Sequence, residues 1–277
     1  MNTLLTYAGL TRLYTVVPLA LLAYGIGAAT GPSQLRAAAA AIAVACALAG
    51  GYAYNDLRDQ STDRVNRPAR PLVSGRVTSR QARWFVTLAF IAAAIVAMTT
   101  ASALTVAFIL VLIACLCLYS DAVKHVAGLK NLFVGAWCGL LPWGASLGHV
   151  AAATILPAIA MVGLFITQKE LVADVYDRDG DAAAGVLTIP VLLGSWPALA
   201  IVLGLNLALW AVVRNAGAVP VLMHLSTAGQ LVAIVNSLAL CAVALRVTKT
   251  SVRAYLELQK IWLIGGCIAF FAMVMVR

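Results

Sequence analysis

Ten acidic side chains occur in 277 residues, and eight of them fall in two short runs. Asp56, Asp59 and Asp63 form the first run; Glu170, Asp174, Asp177, Asp179 and Asp181 form the second. At about 100° per residue on a helix, the first three share one face roughly 60° wide. Glu170, Asp174, Asp177 and Asp181 share a second narrow face, and Asp179 points away from it. Like charges one helical turn apart repel, and the cost rises near a membrane, so two such faces imply a compensating cation. Oxygen-only ligands, with no His or Cys among them, select Mg2+ over zinc, and Mg2+ on one or two carboxylates commonly bridges to a phosphate. The competing reading is an ion-pair network with Arg58, Arg64, Arg67 and Arg178. Residues 55–76, NDLRDQSTDRVNRPARPLVSGR, set Arg67-Pro68 and Arg70-Pro71 on a stiffened, extended backbone. Guanidinium forks suit phosphate oxygens, and Lys124 in YSDAVK adds a further base.

The elements that must position these groups are set by composition. Apolar residues make up 63% of the chain and charged residues 10%, with a mean hydropathy of +0.96. Ordinary soluble domains are roughly 25% charged, so a soluble globular protein, a disordered chain and a nucleic-acid-binding domain are excluded. The net charge of +9 reflects few acids rather than many bases. Continuously apolar runs of roughly 20 residues predict membrane-spanning helices rather than alternating barrel strands. Nine are expected, over 13–30, 36–57, 79–99, 101–119, 129–148, 150–176, 192–213, 221–245 and 254–276. Numbering the loops places fourteen bases on one side and three on the other. The positive-inside rule then puts the amino terminus and both acidic runs at the cytoplasmic face. An all-α integral membrane protein with one domain over 1–277 is expected, in the inner membrane if the cell is bacterial. The six cysteines lie in apolar spans without a C-x-x-C pair, and His125, His149 and His224 lack metal spacing. Gly135, Gly139, Gly144 and Gly148 run along the fifth span, where small residues let helix backbones approach.

At these residues the sequence resembles the UbiA superfamily of membrane prenyltransferases. Asn55-Asp56, Asp59 and Asp63, followed by NRPARPLVSG at 66–75, resemble its first signature. Asp174, Asp177, Gly180 and Asp181, with AGVLTIPVLLG at 184–194, resemble its second; Tyr119-Ser120 with Lys124 resembles a shorter third. The wording is closest to the branch holding geranylgeranylglyceryl phosphate, chlorophyll and homogentisate prenyltransferases. Ala173 departs from the glyceryl-phosphate enzymes, where a basic residue is expected before the aspartate.

The resemblance implies a UbiA-type bundle of nine transmembrane helices and Mg2+-dependent transfer of an allylic isoprenoid from its diphosphate to a small acceptor within the membrane. It implies that Asp56, Asp59, Asp63, Asp174, Asp177 and Asp181 hold Mg2+ against the diphosphate. Asn55, Arg67, Lys124, Tyr119 and Lys169 are the expected substrate contacts. Tyr52, Tyr54 or Tyr119 would stabilise an allylic cation through their π faces. The partners are then an isoprenyl diphosphate, an aromatic or lipophilic acceptor and membrane lipid. A terpene cyclase of the same superfamily, acting on the diphosphate alone, is the alternative, and an ion or phosphate transporter a distant one.

Overall fold

The computed structural model describes residues 3–30, 33–100, 102–145, 152–216 and 223–275, and every regular element among them is a helix. The helices are α1 (Thr3–Thr11), α2 (Leu13–Thr30), α3 (Gln34–Arg58), α4 (Gln60–Asn66), α5 (Ser79–Met98) and α6 (Ala103–Asp121), then α7 (Leu129–Ala145), α8 (Ala152–Ala183), α9 (Ile189–Leu193), α10 (Ser195–Ala216), α11 (Met223–Leu245) and α12 (Lys249–Met275). Among the described residues five helices are long and apolar enough to cross a membrane, or six if the bent pair α1–α2 is one span. Gly148 and His149, and the join at 148–150, lie outside the described residues, as does the His224 side chain.

The chain divides into two compact units. The first holds residues 1–124, 141–151 and 264–277; the second holds 125–140 and 152–263. In the first unit α3 packs against α1, α2, α5 and α6. Its buried face is built of Ala37, Ala40, Ala41, Ala43, Val44 and Ala47, and small residues allow close helix contact in lipid. Ser33 caps α3 by accepting from Arg36 N, and a reciprocal box of Thr78 and Gln81 starts α5. Between α1 and α2 the chain bends by 64°. The bend sits at Arg12, which is not a glycine yet has φ of 51°; its carbonyl accepts from Thr15 N and Val16 N.

In the second unit α8 packs on α9 and α10, and α10 on α11. Their shared core contains Leu171, Val172 and Val175 from α8, Ala198, Leu199 and Val202 from α10, Leu240 and Val243 from α11, and Val252 and Tyr255 from α12. The expected span 150–176 ends too early. The helix continues through Gly180 to Ala183, so Asp177 and Asp181 keep the phase of Asp174. The stop is at Gly185, with φ of 70°. Gly185 N donates to Ala182 O and Val186 N to Asp181 O, the paired bonds of a Schellman cap.

The glycine run on α7 packs α7 closely against α8, as expected. A Cβ at Gly139 would lie 2.6 Å from the Ile159 carbonyl oxygen, and one at Gly135 would overlap Thr167 Oγ1. Gly139→Ala is therefore expected to destabilise the fold by about 1–3 kcal/mol, read as a lower midpoint in thermal unfolding of the detergent-solubilised protein. An unchanged midpoint would contradict so close a crossing.

Candidate active site

The first acidic run sits where α3 gives way to α4. The two helices are not continuous: Asp59 has φ −94° and ψ 8° and forms the junction. The three carboxylates consequently do not act as one stripe. Asp59 accepts from Asn55 Nδ2 at 2.6 Å through Oδ2 and meets Lys124 Nζ at 2.6 Å through Oδ1. Ser120 Oγ donates to Asn55 Oδ1 at 3.3 Å, so the YSDAVK segment of α6 steadies the carboxamide and also leads into the base. Asp56, only 2% exposed, accepts on one oxygen from Arg12 Nη2 at 2.9 Å and Arg70 Nη1 at 3.0 Å. Arg70 also binds Asp63. The Arg12 guanidinium lies 4.6 Å over the Tyr52 ring. Burial pushes the Asp63 carboxyl above the usual carboxylate range, with Arg70 opposing the rise. Burial first, and then the charge of Arg12, lower Arg70.

The loop after α4 supplies Arg70. Arg67 ends α4, its amide donating to Asp63 O, and its side chain is half-buried. Arg70 N returns to Arg67 O and Ser74 N to Arg70 O, and Gly75 turns the chain with φ of 72°. The Ser-Gly pair of the motif thus shapes a turn, since positive φ favours glycine. Tyr54 donates to Asp121, which also accepts from Arg58 Nε at 2.6 Å. Tyr119 is half-buried on α6.

The second run lies on α8. Asp174 meets Lys130 Nζ at 2.7 Å through Oδ1 and accepts from Asn131 Nδ2 at 2.9 Å through Oδ2, both from the start of α7. Lys169 pairs with Glu170 at 2.7 Å. Asp181 is buried and Asp177 half-buried. Asp179, expected to point away, has a side chain 74% exposed beside Lys249 at 3.8 Å.

Two expectations change. The faces were expected to hold negative charge beyond what nearby bases could match, yet Asp56, Asp59, Asp63 and Asp174 each contact a cationic side chain. The bases also differ: Arg58, expected to pair with the runs, serves Asp121, whereas Arg12, Arg70, Lys124, Lys130 and, beside Glu170, Lys169 serve them. Among the described residues no three His, Cys, Asp or Glu side chains converge as a metal site. The donor set remains all oxygen, with carboxylates beside a carboxamide, and that chemistry fits a hard divalent ion. Arg12, Lys130 and Asn131 were not singled out from sequence, and Arg70 and Ser120 were noted in their motifs but not as partners of the acidic run. Lys130-Asn131 opening an apolar run was the available signal.

Asp56 anchors two guanidinium groups, so Asp56→Ala is expected to cost about 3–5 kcal/mol, as for other broken buried pairs. Thermal unfolding reads this; Asp59→Ala, at a more exposed carboxylate, should shift the midpoint less. Equal midpoints in the two variants would count against the anchor.

Fold and site together define a helical integral membrane protein with two carboxylate-bearing helix ends, each matched by basic side chains. The chain belongs to the UbiA prenyltransferase family, whose model matches residues 15–274. It is 36% identical over 178 residues to digeranylgeranylglyceryl phosphate synthase of Methanoculleus marisnigri, covering 61% of this chain and 59% of that one. It is 30% identical over 165 residues to the Haloquadratum walsbyi protein of the same name, covering 58% and 57%. The chain thus spans less than two thirds of the length of these relatives. A UbiA homologue from Archaeoglobus fulgidus, solved bound to GPP and Mg2+, superposes with a TM-score of 0.74 at 18% identity, over 96% of this chain and 99% of that one. The apo UbiA homologue from Aeropyrum pernix K1 gives 0.72 at 23% identity, over 92% and 96%. At these identities the likeness establishes the fold.

Proposed function

We propose that this chain acts as one domain that transfers an allylic isoprenoid from its diphosphate to a small acceptor within the membrane, releasing diphosphate. The observation that carries the reading is Asp59, held between Asn55 and Lys124 at the junction of two helices. A carboxylate, a carboxamide donor and a lysine side by side suit a hard ion next to a phosphate. Asp59, Asp63, Asp174, Asp177 and Asp181 are the proposed Mg2+ ligands. Asp56, engaged by two guanidiniums, holds Arg12 and Arg70 ready for phosphate oxygens. Asn55, Arg67, Lys124, Tyr119 and Lys169 are the proposed substrate contacts. Mg2+ supplies charge neutralisation of the leaving diphosphate, and an apolar interior would keep water from the allylic cation. The bent pair α1–α2 with α3, α5, α6, α7, α8, α10, α11 and α12 would make nine crossings, with the amino terminus and both runs cytoplasmic.

The named relatives favour an acceptor that carries its own phosphate; Ala173 favours one that does not. The test is purified protein in lipid nanodiscs with Mg2+ and geranylgeranyl diphosphate, offered either geranylgeranylglyceryl phosphate or a phenolic acceptor. Acceptor-dependent diphosphate release with a prenylated product supports the transferase. A cyclic hydrocarbon or alcohol formed without acceptor would overturn it in favour of the cyclase.

A further inference from the structure

Four carboxamides lie deep in apolar helices of the second unit: Gln168 on α8, just before the second acidic run, Asn206 on α10, Asn236 on α11 and Gln259 on α12. All four are 0% exposed. Each continues the packed core by one helical turn. Gln168 stands four residues before Val172, Asn206 four after Val202, Asn236 four before Leu240, and Gln259 four after Tyr255. A four-residue step keeps the helical face. The step also runs the same way on all four helices. The end of α8 and the start of α10 meet in the shared core, with the end of α11 and the start of α12, so backward on α8 and α11 matches forward on α10 and α12. The carboxamides therefore form the next layer of one interior. On α10, α11 and α12 that layer lies about 15 Å from the helix ends, near mid-depth of a hydrocarbon core about 30 Å thick.

These groups are not satisfied by one another. Gln168 and Asn236 meet no hydrogen-bond partner through either side-chain atom among the described residues, and Gln259 has only the Tyr255 hydroxyl within reach. Asn206 donates to Ala233 O at 2.8 Å and Ser237 Oγ at 2.6 Å, but its Oδ1 has no partner. Trp262 Nε1, one turn after Gln259, is likewise unpartnered. Leaving so many polar atoms dry inside a bilayer is costly. The residues of the clustered core beside the layer are apolar apart from the Tyr255 hydroxyl, and carboxamides, hydroxyl and indole carry no charge. A ligand here must be neutral and must both donate and accept.

We infer that this carboxamide layer is an internal hydration site, holding a small cluster of water molecules between α8, α10, α11 and α12. A buried water typically makes about three hydrogen bonds, which matches a ring of orphan donors and acceptors of both kinds. The site supplies no redox or transfer chemistry; it satisfies the layer and fixes the register of the four helices.

The test is hydroxyl-radical footprinting of the full-length protein in nanodiscs, in 18O-labelled water, with mass detection. Bound water predicts 18O incorporation at Tyr255 although that residue is 2% exposed. The double variant Gln168→Leu/Asn236→Leu should lose this label and lower the thermal midpoint. If wild-type Tyr255 stays unlabelled, the inference fails even should the variant not fold. A variant midpoint above wild type would show that the layer is dry, because apolar replacement then removes only a desolvation penalty. Density for an organic molecule between these helices at high resolution would equally overturn it.

Discussion

Asp174→Asn is expected to cut diphosphate release by on the order of 10²–10³-fold, the scale of losing one group that stabilises transition-state charge. The carboxylate spends one oxygen on Lys130 Nζ and the other on Asn131 Nδ2. Asparagine keeps the shape and one acceptor oxygen, so the helix pair can remain assembled while the negative charge is lost. Without that charge the position no longer binds Mg2+ as a carboxylate does, and Lys130 loses its counter-charge. The assay is diphosphate release by purified, monodisperse protein. Asp179→Asn serves as the control, expected within about twofold of wild type, because an exposed charge at this distance is worth little. Wild-type turnover in Asp174→Asn would end the metal-cradle reading of the second run.

Removing divalent cations with EDTA should bring turnover to background, and Mg2+ should restore it. The first run explains why the effect would be large. Three carboxylates, Asp56, Asp59 and Asp63, stand against three bases, Arg12, Arg70 and Lys124. A diphosphate added to this balanced set meets bases that are already engaged. With Mg2+ held by Asp59 and Asp63, as proposed, Lys124 and Arg70 would become available to phosphate oxygens. Geranyl diphosphate should therefore bind at least about tenfold more weakly to EDTA-treated protein, a difference of about 1.4 kcal/mol, measurable by titration calorimetry. Equal affinity with and without metal would favour the ion-pair network as the whole purpose of these residues.

Spacing alone located both runs and the helices that carry them, because apolar length and acidic clustering are local properties of a sequence. What escaped was set by contacts between distant segments. Arg12 and Asp56 are 44 residues apart, and Lys124 and Asp59 are 65 apart. Arg12, read singly, satisfied the positive-inside rule and gave no further signal, and Lys124 was read as a phosphate-side base without its carboxylate partner. Helix breaks escaped for a related reason. The residues that sequence reasoning treats as breakers, Pro18 and Pro157, lie inside α2 and α8. The bend falls at Arg12 and the junction at Asp59, neither of which is a glycine or proline. Gly180 lies within the helix of the second motif, and the positive φ that stops it is at Gly185.

The bend at Arg12 also bears on how the chain enters a bilayer. On the proposed topology α1 and α2 emerge from the ribosome before α3, and they carry a guanidinium whose carboxylate partner has not been synthesised. An arginine costs about 2.5–3.5 kcal/mol at the centre of an inserting helix and less toward the cytoplasmic end, where Arg12 meets Asp56. Asp56, at the far end of α3, relieves that cost only when α3 arrives, and Arg70 follows it. The amino-terminal helices are thus completed as a cooperative group during biogenesis, with the future substrate site acting as the clasp that closes it.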